Sequence, residues 1–211
     1  MKTYIFDFDG TIVDSMPTWS RVMKRLLDET NTPYGEDIIK IITPLGNLGT
    51  AKYYRSIGCP LTDEEFLKRK DAYLTCEYRD NIPAKETAAE TLLKMKERGD
   101  SINVLTASAH SNLDPCLKRL GLFDLFDNVW SCDDFNTTKT DPNIYRLAAE
   151  RLGKAVSEVI FVDDNLEADK TAKAAGMTVF GIYDESSKDY IEAIKAATDG
   201  YAYLFSDLLT L

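Results

Sequence analysis

The chain has 211 residues, and its 25 Lys and Arg against 35 Asp and Glu give a net charge of −10. This acidic balance disfavours nucleic acid and anionic membranes, because proteins bind both through lysine and arginine. Hydrophobic residues are 44% and charged residues 28% of the chain, as in globular domains rather than disordered ones. The length fits one domain with a sizeable insertion, and no apolar run reaches the ~20 residues that cross a membrane.

The cysteines and the first residues bear on where the protein works. Cys59, Cys76, Cys116 and Cys132 are far apart and form no C-x-x-C pair, which disfavours a disulfide framework and a zinc site. The chain reaches Asp7 without the apolar stretch of a signal peptide. We therefore expect reduced thiols and a cytoplasmic protein. We also expect a monomer or a weak homodimer.

Short apolar segments alternate with helical patterns over most of the chain. Strands are predicted at residues 2–8, 101–106, 128–132, 159–163 and 178–183. Between them, one helix stops at Gly121, one begins at Asp141-Pro142 and ends at Gly153, and residues 170–175 form a third that stops at Gly176. This alternation predicts an α/β fold with a doubly wound parallel-sheet, Rossmann-like core.

Residues 15–82 differ from the rest, because they contain no convincing strand. They predict an amphipathic helix after Pro17, a short helix over Ile38–Ile42 and a third helix opened by a capping box at Thr62. The insertion follows the first strand, whose carboxyl end is where such sheets bind ligands. We therefore predict a catalytic core of residues 1–14 and 83–211 and an inserted helical cap, 15–82, that acts as a lid. An insertion that serves stability alone is the alternative.

Acidic residues end two of the predicted strands. Asp7 and Asp9 end the first strand and leave it on the same face, because side chains alternate along a strand. Asp163 and Asp164 end the fourth, and Asp169 follows in the next helix. These two strands are commonly neighbours in a doubly wound sheet, so the two acidic pairs converge. Such an all-oxygen cluster requires a hard cation and suits Mg²⁺.

Two other strand ends supply residues that complement the carboxylates. Thr106 places a hydroxyl beside the backbone N–H groups of a turn, and both can bind a phosphoryl oxygen. Lys139, just before the Asp141-Pro142 helix start, can offset the charge of the carboxylates and of a phosphoryl group. A solvated surface charge is the alternative for Lys139. The order of these residues at successive strand ends is a stronger signal than either residue alone.

The motifs together resemble those of the haloacid dehalogenase-like hydrolase superfamily. The resemblance covers the whole chain, including the position of the small helical cap, and rests on Asp7-Phe8-Asp9-Gly10-Thr11, Thr106, Lys139 and Asp163-Asp164. Asp14-Ser15 and Gly46 resemble features of its phosphoglycolate phosphatase/β-phosphoglucomutase branch. Ala168 stands where many relatives have a further acid, and Asp169 looks like a longer-spaced variant of it.

The resemblance implies a Mg²⁺-dependent phosphatase that hydrolyses a small phosphorylated metabolite through an aspartyl-phosphate. It implies Asp7 as the nucleophile and Asp9 as the general acid and base. It assigns phosphate binding to Thr106, the Ala107 amide and Lys139. It assigns the metal to the side chains of Asp7 and Asp164 and the backbone of Asp9, with Asp163 as a further candidate.

A phosphomutase on the same scaffold is the main alternative, because both reactions use the same core residues in this superfamily. Thr11 is usual in the phosphatases, whereas the β-phosphoglucomutases more often have Val or Ile there. The segment Gly46-Asn47-Leu48-Gly49 also lacks the Arg with which the mutases bind a second phosphate. Both features favour hydrolysis.

Two weaker alternatives lie outside the phosphatases and mutases. A non-enzymatic phospho-receiver domain also groups acidic residues, Thr and Lys around Mg²⁺, but it has no helical insertion and no Asp-x-Asp at its first strand. The haloacid dehalogenase reaction needs no metal, and Asp9 and the Asp163-Asp164 pair argue against it.

The substrate itself cannot be deduced from the motifs. Lys40, Lys52 and Arg55 in the insertion are candidates for binding a second anionic group. His110, the single histidine, is interpreted as a surface residue of a loop, with a contact to substrate or cap as the alternative.

Overall fold

A computed structural model describes residues 1–210, apart from the side chain of Pro44. Two compact units are present: Ser15–Asn81 forms one, and the segments on either side of it form the other. Ile82, which the sequence prediction places in the insertion, belongs to the flanking unit.

The flanking unit is built on a parallel sheet. Its strands are β1 (Thr3–Phe6), β2 (Ser101–Thr106), β3 (Asn128–Ser131), β4 (Val159–Asp163), β5 (Thr178–Ile182) and β6 (Gly200–Ala202). Their order is β3-β2-β1-β4-β5-β6, and each adjacent pair is parallel. The predicted doubly wound α/β core is therefore confirmed, with β1 between β2 and β4 at the point where the strand order reverses.

Helices connect these strands. They are α5 (Ala88–Glu97), α6 (His110–Arg119), α7 (Pro142–Arg151), α8 (Leu166–Ala175) and α9 (Ile191–Ala197). Those that precede Gly121, Gly153 and Gly176 end where the sequence signals predict, whereas α5 and α9 were not predicted. The Asp141 carboxylate accepts the N–H of Asn143 (2.9 Å) and so caps α7, which has proline in its first turn. Gly176 ends α8 in the left-handed conformation. The sequence predicted α8 only from residue 170, because its first turn lacks a strong apolar stripe.

The unit Ser15–Asn81 is helical throughout its regular structure. It contains α1 (Met16–Glu29), α2 (Ile38–Ile42), α3 (Gly46–Ser56) and α4 (Asp63–Asp80). The capping box predicted at Thr62 is present: its hydroxyl accepts the Glu65 N–H, and the Glu65 carboxylate accepts the Thr62 N–H. Its own core contains Met23, Leu26 and Tyr54. Helix α3 was not predicted, since glycine and asparagine at its start favour a loop.

A second hydrophobic core packs α7 and α8 against the sheet. It contains Ile5, Phe161 and Val179 from three strands and Tyr145 and Ala172 from the two helices. Tyr145 contacts Phe161 edge to face, with ring centroids 5.0 Å apart. This packing fixes the segments on either side of α7 and α8, which carry the site residues. Within residues 1–210, no helix has the length and apolar character required to cross a membrane.

Candidate active site

The centre of the site is a buried ammonium group between two carboxylates. Asp7 follows β1 directly, and its N–H continues the ladder by donating to Val162 O (2.9 Å). Lys139 comes from the loop between β3 and α7, and its Nζ donates to Asp7 Oδ1 (2.5 Å) and Asp163 Oδ2 (2.7 Å). The side chains of Lys139, Asp7 and Asp163 are 13%, 6% and 0% exposed. Lys139 is therefore not a solvated surface charge.

Asp163 and Asp164 are adjacent in sequence but have different partners. Asp163, the last residue of β4, accepts the Asn165 N–H at its second oxygen, Oδ1 (2.8 Å). Asp164 lies just beyond the strand and accepts the Thr11 hydroxyl (3.0 Å). Asp7, Asp163 and Asp164 each offer an oxygen, and these atoms lie within 4.8 Å of one another. Of the two acidic pairs predicted to converge, the structure thus brings Asp7 together with Asp163 and Asp164, and Asp9 is not part of this cluster.

Gly10 allows Asp164 to approach the turn after β1. Its φ of +82° is in the left-handed region, which side chains with a Cβ rarely adopt. A Cβ built at Gly10 would stand 2.6 Å from Asp164 Oδ2. The carboxylate therefore packs directly against the glycine backbone, and this close approach explains why glycine is needed in the Asp7–Thr11 segment.

Asp169 adds a buried carboxyl group in the first turn of α8. It is fully buried, and neither of its side-chain oxygens has a hydrogen-bond partner. Asn165 caps the start of α8, because its side chain accepts the N–H groups of Glu167 and Ala168. An unpaired buried carboxylate is costly, so Asp169 requires either a proton or a cation.

Burial and mutual repulsion shift the titration of these carboxyl groups. Burial raises the pKa of Asp7 to about 7 even though Lys139 lowers it, and Asp163 and Asp9 raise it further. Burial, with Asp163 and Asp7 beside it, raises the pKa of Asp164 well above its usual range. Burial, then Asp163 and Asp164, raises the pKa of Asp169 to about 10.

The same surroundings favour the charged form of Lys139. Burial lowers the pKa of Lys139, but the carboxylates of Asp163 and Asp7 outweigh it and raise that pKa well above the usual range. Lys139 therefore stays protonated and supplies one positive charge. The buried carboxyl groups around it are those of Asp7, Asp163, Asp164 and Asp169. An all-oxygen donor set with this excess of negative charge fits a hard divalent cation such as Mg²⁺.

Thr106 lies at the end of β2, and Asp9 lies in the turn that follows β1. Thr106 ends β2, is buried, and its Oγ1 accepts the Ser108 N–H (3.0 Å). The Ser108 hydroxyl donates to Asp9 Oδ2 (2.5 Å). The intervening Ala107 is exposed. Because β1 ends at Phe6 rather than at residue 8, Asp9 lies in a turn and not on the strand face that the alternation predicted.

Sequence reasoning missed the roles of three supporting residues. Thr11 is fully buried and positions Asp164. Ser108 joins the Thr106 turn to Asp9. The Tyr145 hydroxyl lies 2.9 Å from the Lys139 carbonyl oxygen and 3.1 Å from that of Ala168. Thr11 and Ser108 each follow a predicted site residue by two positions, and this closeness in sequence could have indicated their roles. Tyr145 had no such signal.

His110 was interpreted as a loop residue, but it is the first residue of α6. Its ring nitrogens lie 2.8 Å from Asp114 Oδ1 and 2.9 Å from Asp134 Oδ2. The side chain is 41% exposed.

Comparison with known proteins identifies related sequences. A sequence profile of the haloacid dehalogenase-like hydrolases matches residues 1–176. Bacillus subtilis YhcW, provisionally named a phosphatase, is 28% identical over 180 residues, which are 84% of this chain and 81% of that protein. A phosphoglycolate phosphatase of Shigella boydii is 26% identical over 231 residues, covering 97% of this chain and 89% of the relative.

A solved structure extends the likeness to the fold. It is that of a Thermotoga maritima protein provisionally assigned as a β-phosphoglucomutase, with a TM-score of 0.83, 22% identity, and coverage of 100% of this chain and 97% of that chain. At this identity the likeness concerns the fold alone. The profile match, in contrast, spans most of the sequence and all four motifs, and it confirms the prediction of a hydrolytic enzyme. The chain belongs to the haloacid dehalogenase-like hydrolase family.

Proposed function

We propose that the protein is a Mg²⁺-dependent phosphatase that hydrolyses a small phosphate monoester through an aspartyl-phosphate on Asp7. The observation that carries the proposal is the buried contact of Lys139 with Asp7 and Asp163, beside Asp164, at the carboxyl edge of the sheet. Phosphatases among the related proteins support the same reaction class.

Asp7 and Asp164 would hold Mg²⁺ through their carboxylates, together with the backbone carbonyl of Asp9. Asp163 is less suited to direct binding, since its two oxygens already accept hydrogen bonds from Lys139 and Asn165. When bound, Mg²⁺ offsets the charge of the carboxylates and of the phosphoryl oxygens. Asp169 contributes a further negative charge close to Asp163 and Asp164.

In the first step, an Asp7 oxygen attacks phosphorus in line, and the bond from phosphorus to the ester oxygen breaks. Lys139 orients Asp7 and favours its charged, nucleophilic form. Asp9 donates a proton to the departing ester oxygen. The Ser108 hydroxyl donates to Asp9 Oδ2 and so positions this carboxyl group.

Thr106 and the Ala107 N–H bind the phosphoryl oxygens. Because Thr106 Oγ1 already accepts the Ser108 N–H, the Thr106 hydroxyl proton remains available for a phosphoryl oxygen. In the second step, water attacks the phosphorus of the aspartyl-phosphate and gives its proton to Asp9. Inorganic phosphate leaves and the Asp7 carboxylate is regenerated. Catalysis rests on positioning and electrostatics.

The substrate class is a small phosphorylated metabolite, as the names of the related phosphatases suggest. We propose the unit Ser15–Asn81 as the cap that selects the substrate, with Lys40, Lys52 and Arg55 as candidates for a second anionic group. A cytoplasmic location and a monomeric or weakly dimeric state remain predictions.

A phosphomutase is the second candidate, since the core residues serve both reactions. Thr11 favours hydrolysis on the family pattern, and its hydroxyl supports Asp164 here, a contact that Val or Ile could not make. The α3 start, Gly46-Asn47-Leu48-Gly49, offers no arginine to hold a second phosphate.

Hydrolysis of an aryl phosphate is expected to require Mg²⁺, because four buried carboxyl groups face one lysine. EDTA should abolish release of p-nitrophenol from p-nitrophenyl phosphate, and added Mg²⁺ should restore it. EDTA saturated beforehand with Mg²⁺ is the control for other effects of the chelator. Full activity after metal stripping would contradict the metal assignment.

Gly10→Ala is expected to impair Mg²⁺ binding, because its Cβ would displace the Asp164 carboxylate. Gly121→Ala is the matched control, since Gly121 has φ of +69° and open space around a Cβ. Both variants should lose about 1–2 kcal/mol of stability through left-handed backbone strain. Only Gly10→Ala should lose the rise in melting temperature that Mg²⁺ gives the wild type. Equal Mg²⁺ stabilisation of both variants would rule out this role of Asp164.

Substitution should separate the two acids that follow β1. Asp7→Asn is expected to abolish turnover and to form no covalent adduct. Asp9→Asn should lower the rate by ~10²–10⁴ and accumulate phosphorylated Asp7 with an aryl phosphate, because a good leaving group needs little protonation whereas water needs a base. Mass spectrometry of acid-quenched enzyme measures the adduct. Wild-type turnover by Asp7→Asn would require another nucleophile.

Phosphate release distinguishes the phosphatase from the mutase. With glucose 1-phosphate and a bisphosphate primer, we expect each molecule of substrate lost to yield one inorganic phosphate. The segment Gly46–Gly49 has no arginine to hold the second phosphate of a bisphosphate, so water is expected to hydrolyse the aspartyl-phosphate. The measurement compares inorganic phosphate with glucose 1-phosphate consumed. Isomerisation to glucose 6-phosphate without phosphate release would reverse the assignment.

A further inference from the structure

His110 connects two segments that leave the sheet side by side. Strands β2 and β3 are paired up to Thr106 and Ser131. Beyond this pair, the chain enters the Thr106–Ser108 turn on one side and the turn Cys132–Phe135 on the other. His110 begins the helix after the first turn, and its Nε2 lies 2.9 Å from Asp134 Oδ2 in the second. This contact continues the link between the two segments after the backbone ladder has ended.

Each of these segments leads to a residue of the proposed mechanism. On the His110 side, the Ser108 hydroxyl holds Asp9, and the Ser108 N–H holds Thr106. On the Asp134 side, the turn leads along the chain to Lys139, and the Thr137 N–H in between donates back to the Cys132 carbonyl oxygen (3.5 Å). The same Asp134 oxygen that meets His110 also accepts the Ser131 N–H (2.9 Å). The His110–Asp134 contact therefore joins the segment that follows Thr106 to the segment that leads to Lys139.

The protonation state of the imidazole determines whether both contacts can form. Nδ1 faces Asp114 and Nε2 faces Asp134, and both partners are carboxylates that accept hydrogen bonds. The imidazolium form has two N–H donors and satisfies both carboxylates. The neutral ring has one N–H, so its other nitrogen would direct a lone pair at a carboxylate. Loss of the proton therefore breaks one of the two contacts.

We propose that His110 is a positioning residue that, when protonated, clamps the phosphate-binding turn after β2 to the turn after β3 that leads to Lys139. The effect on catalysis rests on the proposed phosphatase function, whereas the clamp itself does not. His110 touches neither the nucleophile nor the metal-binding carboxylates in this arrangement.

The charged groups around His110 favour the clamped form. Asp114 faces it from α6 itself and Asp134 from the turn after β3, and their hydrogen bonds raise the pKa of His110 above its ordinary value. Arg151 of α7 donates to the Asp134 carbonyl oxygen (2.7 Å) and lies over the Phe135 ring. Since the folded state raises this pKa, the clamp is complete at acidic pH and is lost as the pH rises through it.

An NMR titration tests the clamp without any assay of activity. His110 is the single histidine, so one imidazole signal reports its protonation, and we expect a midpoint above ~6.5. In the wild type, the chemical shifts of the Ser108 and Lys139 backbone amides should change with pH at that same midpoint. In His110→Gln, this change should be absent. Asp134→Asn should lower the imidazole midpoint, and the chemical shift of the Lys139 amide should no longer follow the imidazole titration.

Asp114→Asn is the matched control, because it removes a carboxylate on the helix of His110 but leaves the contact between the turns. It should lower the imidazole midpoint while the Lys139 amide continues to follow it. Either of two results in the wild type would overturn the clamp. One is an imidazole midpoint at or below the ordinary histidine pKa, and the other is a Lys139 amide whose chemical shift does not change at the imidazole midpoint.

Activity then measures what the clamp contributes. Relative to wild type, His110→Gln should lower kcat/KM for p-nitrophenyl phosphate about two- to fivefold at pH 6, the range typical of an exposed ion pair, and little at pH 9. His110→Arg keeps the charge and should remove the fall between these pH values. Identical pH profiles for all three proteins would overturn the positioning role. If the wild type hydrolyses no phosphate ester, the proposed function fails, and the titration still decides the clamp.

Discussion

The excess of buried negative charge at the carboxyl edge of the sheet is the constraint on which the site depends. Oxygens of Asp7, Asp163 and Asp164 lie within 4.8 Å of one another, and at that separation two full charges repel by about 3 kcal/mol at an effective dielectric constant of ~20. Lys139 offsets one of these charges. The remaining negative charge must be neutralised by protons or by a cation. The pKa values of Asp7, Asp164 and Asp169 are raised for this reason.

The surrounding fold is arranged to hold this repulsive cluster together. Asp7 and Asp163 stand at the ends of paired strands, so the β1–β4 ladder fixes their separation. The Tyr145 hydroxyl bridges the carbonyl oxygens of Lys139 and Ala168. Because the Tyr145 ring packs on Phe161 in the core, the position of the lysine is tied to hydrophobic packing rather than to charge alone. Rigid support of this kind keeps charged groups close when they would otherwise move apart.

The sequence predicted the parts of this arrangement that follow from strand order. Once β1 and β4 are neighbours, Asp7 and Asp163 must meet, and a helix cap such as Asp141 is a local property of the chain. Strand β6 was missed because three residues beginning with glycine carry no strand pattern. The Asp9–Ser108 contact could not be predicted, since it depends on how two turns fold after their strands end. Tyr145 likewise reads as an ordinary core residue of an amphipathic helix.

The two kinds of support have different consequences for the enzyme. The backbones that carry Asp7 and Asp163 are held by buried hydrogen bonds between β1 and β4, which water scarcely reaches. The turn after Thr106 and the loop that leads to Lys139 lie beyond the strands, and such segments are held by side-chain contacts that are more exposed and open more easily. The strand ends that carry Asp7 and Asp163 are therefore the rigid part of the site, whereas the turn after Thr106 and the loop before Lys139 can respond to conditions. A polar contact between these two segments, such as that of His110 with Asp134, acts on them and leaves the strand ends unchanged.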